Sequence, residues 1–321
     1  MLLYVIAAKL VAGVMVLGAG TSAVSGQSYP QRSVRLVTQE TGGGPDFAAR
    51  LIAQGLTGPF GQPVIVENRG GGGSISGDIV SKAAPDGHTL LVTGGSFWVA
   101  TLFRKASYDP VKGFTPVSML VNSLILLVVP PSSPVKTVKD LIELAKANPG
   151  QLNYGAGTPG SITHLSAELF KSMAGVNIVH VPYKGSGPAV IGVIGGQVDM
   201  MLATSASVAP HVKSGKVRAV AITSARPSVL YPDLPTVAAT VPGYDSGGAT
   251  AMFAPPRTPT SITDRLHREL VRLLEQPDVK EKFQSIGVEI VAGTPEHLAS
   301  VVKTEMARLG KLVKEAGLRS D

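Results

Sequence analysis

The sequence predicts an α/β fold made of two doubly wound lobes. Short apolar runs rich in Val and Ile alternate with segments of helical periodicity along the chain, which is the pattern of successive β-α units. Most of these runs are continuous rather than alternating, as expected for parallel strands buried on both faces. Two strand-like passages that contain or adjoin clusters of Pro and Gly, at 124–131 and 241–256, are candidate crossings between the lobes.

The elements follow one another in β-α order. One helix begins with a capping-box-like pair, Thr137 and Asp140, and ends at Asn148-Pro149-Gly150. The last helix begins with Thr294 as N-cap and Pro295 as the first helical residue. The candidate strands are Val34–Thr38, Val64–Glu67, Thr89–Thr93, Leu124–Val129, Ile178–Val181, Met200–Ala203 and Val217–Ile222. The candidate helices are Asp46–Leu56, Val138–Ala147, Ser161–Met173, Ile262–Glu275 and Pro295–Ala316.

Residues 1–26 are predicted to be a cleavable secretory signal. An apolar stretch follows Lys9, and Ala23-Val24-Ser25 fits the small-x-small rule for cleavage; an uncleaved anchor is the alternative. We therefore expect a periplasmic protein. In the mature chain, residues 27–123 and 253–321 are predicted to form lobe 1, and residues 124–252 lobe 2.

Composition excludes several classes of function. The chain has no cysteine, which rules out disulfides, thiolate metal sites and cysteine nucleophiles. Its net charge of +7 is spread without basic runs and aromatic residues are only 5%, so we expect no nucleic-acid binding. No Gly-x-Ser-x-Gly, His-Glu-x-x-His or dinucleotide fingerprint marks a catalytic site. We expect no catalytic residue, no metal and no cofactor.

Two glycine-rich loops are candidate anion sites. Gly42, Gly43 and Asp46 follow the first strand and open the first helix, where unpaired N–H groups and the positive end of the dipole favour an anion. The alternative is a tight turn in which Asp46 is the N-cap and Arg50 is solvated or paired to it. The second loop has the same design in lobe 2, and its candidate ligand-binding residues are Ala156, Gly157, Thr158 and Ser161.

Five further residues are candidates for ligand contact. Ser96 follows a strand at the end where ligands bind in open α/β sheets. His164, one helical turn before Glu168, could be half of a metal pair but more simply supports the second loop. Tyr183 and Gly185 follow another strand, and Asp199 begins one, where a turn or cap role is the alternative.

These segments together resemble the substrate-binding proteins of tripartite tricarboxylate transporters, the Bug family of periplasmic receptors. The resemblance covers essentially the whole mature chain. The matching segments, in order, are Tyr29-Pro30, Gly42-Gly43-x-x-Asp46-x-x-Ala49-Arg50, Val66-Glu67-Asn68-Arg69, Pro85-Asp86-Gly87, Tyr108-Asp109-Pro110, Tyr154-Gly155-x-Gly157-Thr158-x-Gly160, Val181-Pro182-Tyr183-Lys184-Gly185-Ser186-Gly187-Pro188-Ala189, Gly195-Gly196-Gln197-Val198-Asp199, Leu234-Pro235-Thr236-Val237 and Ala254-Pro255.

The resemblance implies a type II periplasmic-binding-protein fold, with two lobes joined by two crossover strands that close on a carboxylate held by the two loops. It also implies a monomer that delivers a small organic acid to membrane permease subunits. A receptor for a signalling partner and an α/β enzyme with an unrecognised site are the alternatives. One departure concerns the ligand: the family has apolar residues before the first glycine pair, whereas this chain has Gln39-Glu40-Thr41. Glu40 beside an anion site would oppose a second negative charge.

Overall fold

The fold is described from a computed structural model that covers residues 29–71, 73–103 and 106–315. The predicted signal segment, residues 1–26, lies outside the described residues. Within the described ranges, no helix is both long and apolar enough to cross a membrane.

Strands and helices alternate through most of the chain. The strands are β1 Val34–Thr38, β2 Val64–Asn68, β3 Thr89–Gly94, β4 Thr115–Ser123, β5 Ile125–Val129, β6 Asn153–Ala156, β7 Val179–Pro182, β8 Met201–Thr204, β9 Arg218–Ile222, β10 Gly248–Ala254 and β11 Val288–Gly293. The helices are α1 Gly44–Phe60, α2 Ser74–Ser81, α3 Ser96–Phe103, α4 Val138–Ala147, α5 Ile162–Ala174, α6 Ser186–Ile194, α7 Ser205–Lys213, α8 Thr260–Leu274, α9 Pro277–Ser285 and α10 Pro295–Glu315.

Lobe 1 is built on a six-stranded sheet with the order β11-β4-β10-β3-β1-β2. The three amino-terminal strands are parallel, whereas β10 runs antiparallel to β3 and β4, and β11 antiparallel to β4. The sheet is therefore mixed, and its parallel half carries the strand ends at which α1, α2 and α3 begin. Apolar residues such as Leu36, Ile52 and Leu266 pack together in the main core of this lobe.

Lobe 2 combines two small sheets. Strand β5 lies between β8 and β9 and is antiparallel to both, while β6 and β7 pair in parallel. A parallel bridge between Tyr154 and Met200 joins β6 to the residue before β8, so the two sheets continue into each other. Leu127, Phe170 and Tyr244 lie in the core of this lobe.

The chain crosses between the lobes at two adjacent points. Leu124 alone separates β4 in lobe 1 from β5 in lobe 2, and the chain returns through Ser246-Gly247 into β10. Ser123 pairs with Gly248 across these crossings. The boundary expected at residue 252 falls inside β10, and the pairing of β10 from Gly248 onward places the whole strand in the sheet of lobe 1.

Several elements begin where local sequence signals predict. The capping box of α4 is present, because the Thr137 hydroxyl accepts the Asp140 N–H and the Asp140 carboxylate accepts the Thr137 N–H. The expectation of parallel strands is wrong for β5, which is equally apolar but antiparallel to both neighbours, because burial on two faces sets its composition whatever its direction.

Candidate ligand-binding cleft

The loop between β1 and α1 forms the lobe 1 side of the cleft. Gly43 is the N-cap of α1, and Gly42 has a φ of 81°, a left-handed conformation that favours glycine. Asp46 lies in the first turn of the helix and not at the N-cap, so the alternative N-cap assignment is wrong. Its position inside the helix turns its carboxylate back toward the loop.

Asp46 holds this loop through a network around its own buried carboxylate. Its carboxylate accepts the Gly42 N–H at 3.0 Å and an Asn68 Nδ2–H at 2.8 Å, and it pairs with the Arg50 guanidinium at 3.0 Å. Asn68 also donates to the Gln39 carbonyl, which ties the end of β2 to the loop after β1. Asp46 therefore supports the glycine loop from behind.

The loop between β6 and α5 forms a second wall of the cleft. Ser161 is the N-cap of α5, where its hydroxyl accepts the His164 N–H, and the Gly157 N–H donates to the Thr163 hydroxyl at 3.0 Å. Ala156 ends β6 and is fully buried; its carbonyl accepts the Tyr183 N–H. The loop is thus fixed by its own hydrogen bonds at the amino end of a helix.

The third wall is the turn between β7 and α6. Gly185 is the N-cap of α6, and the helix begins at the buried Ser186. Three helix amino termini, those of α1, α5 and α6, therefore meet at the cleft. Their orphan N–H groups and dipoles favour an anion there.

The two lobes are closed on each other in this structure. A Cβ placed on Gly42 would lie 3.1 Å from the Gly187 nitrogen, and one on Gly185 would lie 2.7 Å from the Thr41 carbonyl oxygen. The Gly71 N–H also donates to the Thr158 hydroxyl at 3.3 Å. Glycine at these positions is what lets the two backbones approach so closely.

Polar side chains fill the floor of the cleft after β1. Gln39 is buried, and its amide nitrogen donates to the hydroxyls of Thr93 and Ser96 at 2.8 and 2.9 Å. Ser96 is also buried, at the start of α3, and its hydroxyl orients the Gln39 amide by accepting this hydrogen bond. Glu40 follows and is only 6% exposed.

Three buried side-chain oxygens near the first loop have no hydrogen-bond partner. Among the described residues, the buried side-chain oxygens without a hydrogen-bond partner are Thr38 Oγ1, Glu40 Oε2 and Ser123 Oγ. Thr38 and Glu40 flank Gln39 in the chain, and the Ser123 hydroxyl lies 3.3 Å from the position of a Cβ on Gly44. Buried polar atoms are normally satisfied by protein, water or ligand, so each of these oxygens can accept a further hydrogen bond.

Two predicted contact residues lie away from the closed interface. Tyr183 turns its ring toward Gly192 and its hydroxyl toward Gln197, both in lobe 2. Asp199 accepts the Asn153 N–H at 2.7 Å, at the opposite end of β6 from the glycine loop. The structure therefore does not bring Tyr183 or Asp199 into the cleft, and the turn or cap alternative fits Asp199.

His164 supports the second loop. Its Nδ1 accepts the Gly160 N–H at 3.2 Å, and its ring packs against His180. The suggested metal partner Glu168 is engaged by the Tyr154 hydroxyl and the Lys171 ammonium instead. No group of three or more possible metal ligands occurs among the described residues.

Sequence reasoning missed three residues of the cleft. Gln39, Thr41 and Ser186 line or support the contact between the lobes, whereas Glu40 was already expected beside the anion site. The signal that could have found them is positional: polar residues directly after a buried parallel strand lie at the ligand-binding edge of the sheet.

Comparison with known proteins identifies the family to which this chain belongs. Residues 48–318 match the model of the tripartite tricarboxylate transporter family receptor, TctC. The chain belongs to this receptor family.

Individual relatives of this TctC-family receptor agree over nearly their full length. BugT of Bordetella pertussis is 34% identical, with 96% of this chain and 97% of BugT covered. A Rhodopseudomonas palustris protein solved with adipate is 36% identical, with a TM-score of 0.82 and coverage of 90% of this chain and 98% of that one. MatC from the same species, solved with bound malate, is 33% identical, with a TM-score of 0.84 and coverage of 89% and 100%.

The comparisons confirm the family resemblance and the two-lobed α/β receptor fold. Solved relatives include a periplasmic binding protein, BugD, at 32% identity and a TM-score of 0.86. Because the family and these relatives are solute-binding proteins, the interpretation of this receptor as a non-enzyme is also confirmed.

Replacing Glu40 by Gln should stabilise the closed, ligand-free receptor at neutral pH. Burial raises the pKa of the Glu40 carboxyl, an effect that the residue's own backbone N–H only partly offsets. The folded state therefore holds its proton to higher pH than the unfolded chain, so the free energy of unfolding falls as pH rises above the ordinary value of 4.5 through the raised pKa. The neutral Gln side chain does not titrate, so the variant lacks this pH-dependent loss of stability.

Thermal unfolding of wild type and Glu40→Gln between pH 4 and pH 8 measures the effect. We expect a gain of about 1–3 kcal/mol in the free energy of unfolding for the variant at the neutral end, since it removes a poorly satisfied buried charge, and convergence of the two proteins at the acid end. Parallel pH profiles would show that Glu40 does not titrate in a buried site.

Proposed function

We propose that this chain is a periplasmic receptor that captures a small carboxylate-bearing solute between its two lobes and delivers it to a tripartite tricarboxylate-type permease. The observation that carries the proposal is the meeting of three helix amino termini, one from lobe 1 and two from lobe 2, at a closed interface between glycine-rich loops. Such termini bind an anion without a metal or a paired cation.

We propose ligand contacts from the loops of both lobes. Gly42 and Gly43 act from lobe 1; Ala156, Gly157, Thr158, Ser161 and Gly185 act from lobe 2. Asp46 and Ser96 position the first loop, and His164 positions the second. The solved relatives that carry adipate and malate support a small organic acid as the ligand class.

Ligand binding would drive the lobes together. The two lobes meet through backbone atoms of facing loops, and a solute that touches both loops binds the closed form better than the open one. The adjacent crossings at Leu124 and Gly247 are the positions at which the chain can bend. The closed monomer is then the form that a permease would recognise.

The amino-terminal segment is proposed to act as the secretory signal that directs export. Removal of residues 1–26 would release a mature chain from about residue 27, with lobe 1 formed from both ends of that chain and lobe 2 from its middle. Amino-terminal sequencing of the protein recovered from a periplasmic fraction measures this directly. Recovery of the intact Met1 terminus in the membrane fraction would contradict it.

Thermal unfolding of residues 27–321 against mono-, di- and tricarboxylates, aromatic acids and amides tests the receptor function. A solute present at about 100 times its dissociation constant stabilises the protein by about 2.7 kcal/mol, which is a shift of several degrees. The expected result is a shift confined to one class of acid, with no turnover of that acid. Protein that is folded and free of carried-over solute, and that responds to no acid, would refute carboxylate capture.

Delivery needs a separate measurement. Uptake of the labelled acid by cells should depend on this chain and on a tripartite permease, and deletion of either should abolish saturable uptake at low solute concentration. Binding without any loss of uptake in the deletion strain would refute the transport role and leave ligand sensing as the use of the same cleft.

A further inference from the structure

Glu40 lies where the lobes meet, on the cleft side of lobe 1. Its Oε1 atom is 3.1 Å from the position of a Cβ on Gly157, and its Cβ and Cγ are 3.6 Å from that of a Cβ on Gly185. The side chain therefore passes between the two lobe 2 loops that the proposed solute contacts. A Cβ at 157 would crowd the carboxylate, whereas one at 185 would only touch the side chain's Cβ and Cγ.

The Glu40 carboxylate has an unused hydrogen-bonding atom in this place. The residue is 6% exposed, and its Oε2 has no hydrogen-bond partner. An ionised carboxylate is an acceptor only, so what would complete it is a donor. Burial without such a donor is costly, which indicates that the donor arrives with the ligand.

Within residues 29–71, 73–103 and 106–315, no cation pairs with this carboxylate. Arg50, which is near in sequence, is paired with Asp46 and bonded to Asn68. The Gly157 N–H and the His164 N–H, which could have donated from lobe 2, are used by Thr163 and Ser161.

We infer that Glu40 determines the specificity of the cleft, by accepting a hydrogen bond from an ammonium or primary amide group at one end of a solute whose other end is a carboxylate. The inference rests on the receptor function proposed above. The helix amino termini take the carboxylate, and Glu40 takes the nitrogen donor. A dicarboxylate of the same length would place its second anion against Glu40 and is disfavoured.

Matched solutes test this division of the cleft. Isothermal titration calorimetry at pH 7.5 would compare succinate, succinamate and 4-aminobutanoate, and then the longer series adipate, adipamate and 6-aminohexanoate. Each series keeps one carboxylate and the chain length nearly constant while the far group changes. The proteins are wild type, Glu40→Gln and, as a control, Glu143→Gln, which makes the same change of charge on the exposed surface of α4.

The wild type should bind the nitrogen-bearing acids at least tenfold more tightly than the dicarboxylate of the same series. Glu40→Gln should weaken the ammonium acid and strengthen the dicarboxylate, so that their affinity ratio changes at least tenfold, with a smaller change for the amide. Glu143→Gln should leave every ratio within twofold.

Other outcomes separate the two proposals. Wild type that prefers the dicarboxylates, or a Glu40→Gln variant that changes all three affinities by one common factor, overturns the role of Glu40 and leaves carboxylate capture standing. A common factor is what a purely structural role in lobe closure would give. Failure of all six solutes to bind both wild type and Glu40→Gln, while another acid shifts the unfolding midpoint in the thermal screen, overturns the inference alone. Failure of every acid in that screen overturns carboxylate capture and the inference with it.

Discussion

The Gly185→Ala receptor should fold normally and lose affinity for its acid by roughly 5- to 150-fold. The added Cβ would lie 2.7 Å from the Thr41 carbonyl oxygen, and its nearest neighbours are all atoms of lobe 1. Gly185 has an extended backbone with a φ of 166°, which alanine adopts without strain. The conflict therefore exists only when the lobes are closed, and overpacking of about 1–3 kcal/mol gives the stated loss.

Calorimetry with the acid selected by the thermal screen measures this loss, and small-angle scattering with and without that acid measures closure. Gly58→Ala is the matched control, because it makes the same substitution on the exposed surface of α1, where a Cβ meets nothing within 4 Å. Wild-type affinity and ligand-induced compaction in Gly185→Ala would show that the ligand-bound lobes are not as close as this structure has them.

The Asp46→Ala receptor should lose about 2–4 kcal/mol of stability. The substitution leaves the Gly42 N–H, an Asn68 N–H and the Arg50 guanidinium without their shared acceptor. Hydrogen bonds to a charged group contribute about 1.5–3 kcal/mol each, and these are coupled rather than additive. Arg50 is largely exposed, so its ion pair contributes little to the total.

Chemical denaturation of Asp46→Ala beside Asp278→Ala measures the network separately from the helix dipole. Both residues lie in the first turn of a helix, but Asp278 makes only an exposed pair with Lys282. We expect at most about 0.5 kcal/mol from Asp278→Ala, as for other exposed pairs. Equal losses in the two variants would mean that Asp46 acts through the helix terminus and not through the loop. The acid affinity of Asp46→Ala should fall as well, because Gly42 loses its support.

Local patterns predicted much of the fold. Continuous apolar runs located β1, β3 and β5 to within a residue, and Thr137 with Asp140 located the start of α4. The short helices α2, α3, α6, α7 and α9 escaped prediction; the first four hold few polar residues or are broken by glycine and proline. Strands β4, β6 and β11 escaped too, and the pairing of β4 with β10 joins residues 125 to 139 positions apart.

The candidate cleft was predicted only in part, because local sequence signals identify its loops but not how the two lobes meet. Glycine loops before helices are local signals, and the structure brings Gly42, Gly157 and Gly185 together. The position of Glu40 depends on how the lobes meet, which no local pattern encodes. Asp199 shows the opposite error: its motif is local, but its partner Asn153 lies at the far end of β6.

The position of β10 also governs when lobe 1 can form during synthesis. This strand lies between β3 and β4 in the sheet, although it follows both by more than 120 residues in the chain. The amino-terminal β-α units therefore keep an open sheet edge until residue 254 has been made, whereas lobe 2 has all its strands by residue 222. Such non-local pairing is slow. We therefore expect the sheet of lobe 1 to close only after residue 254 has been made, later than the strands of lobe 2.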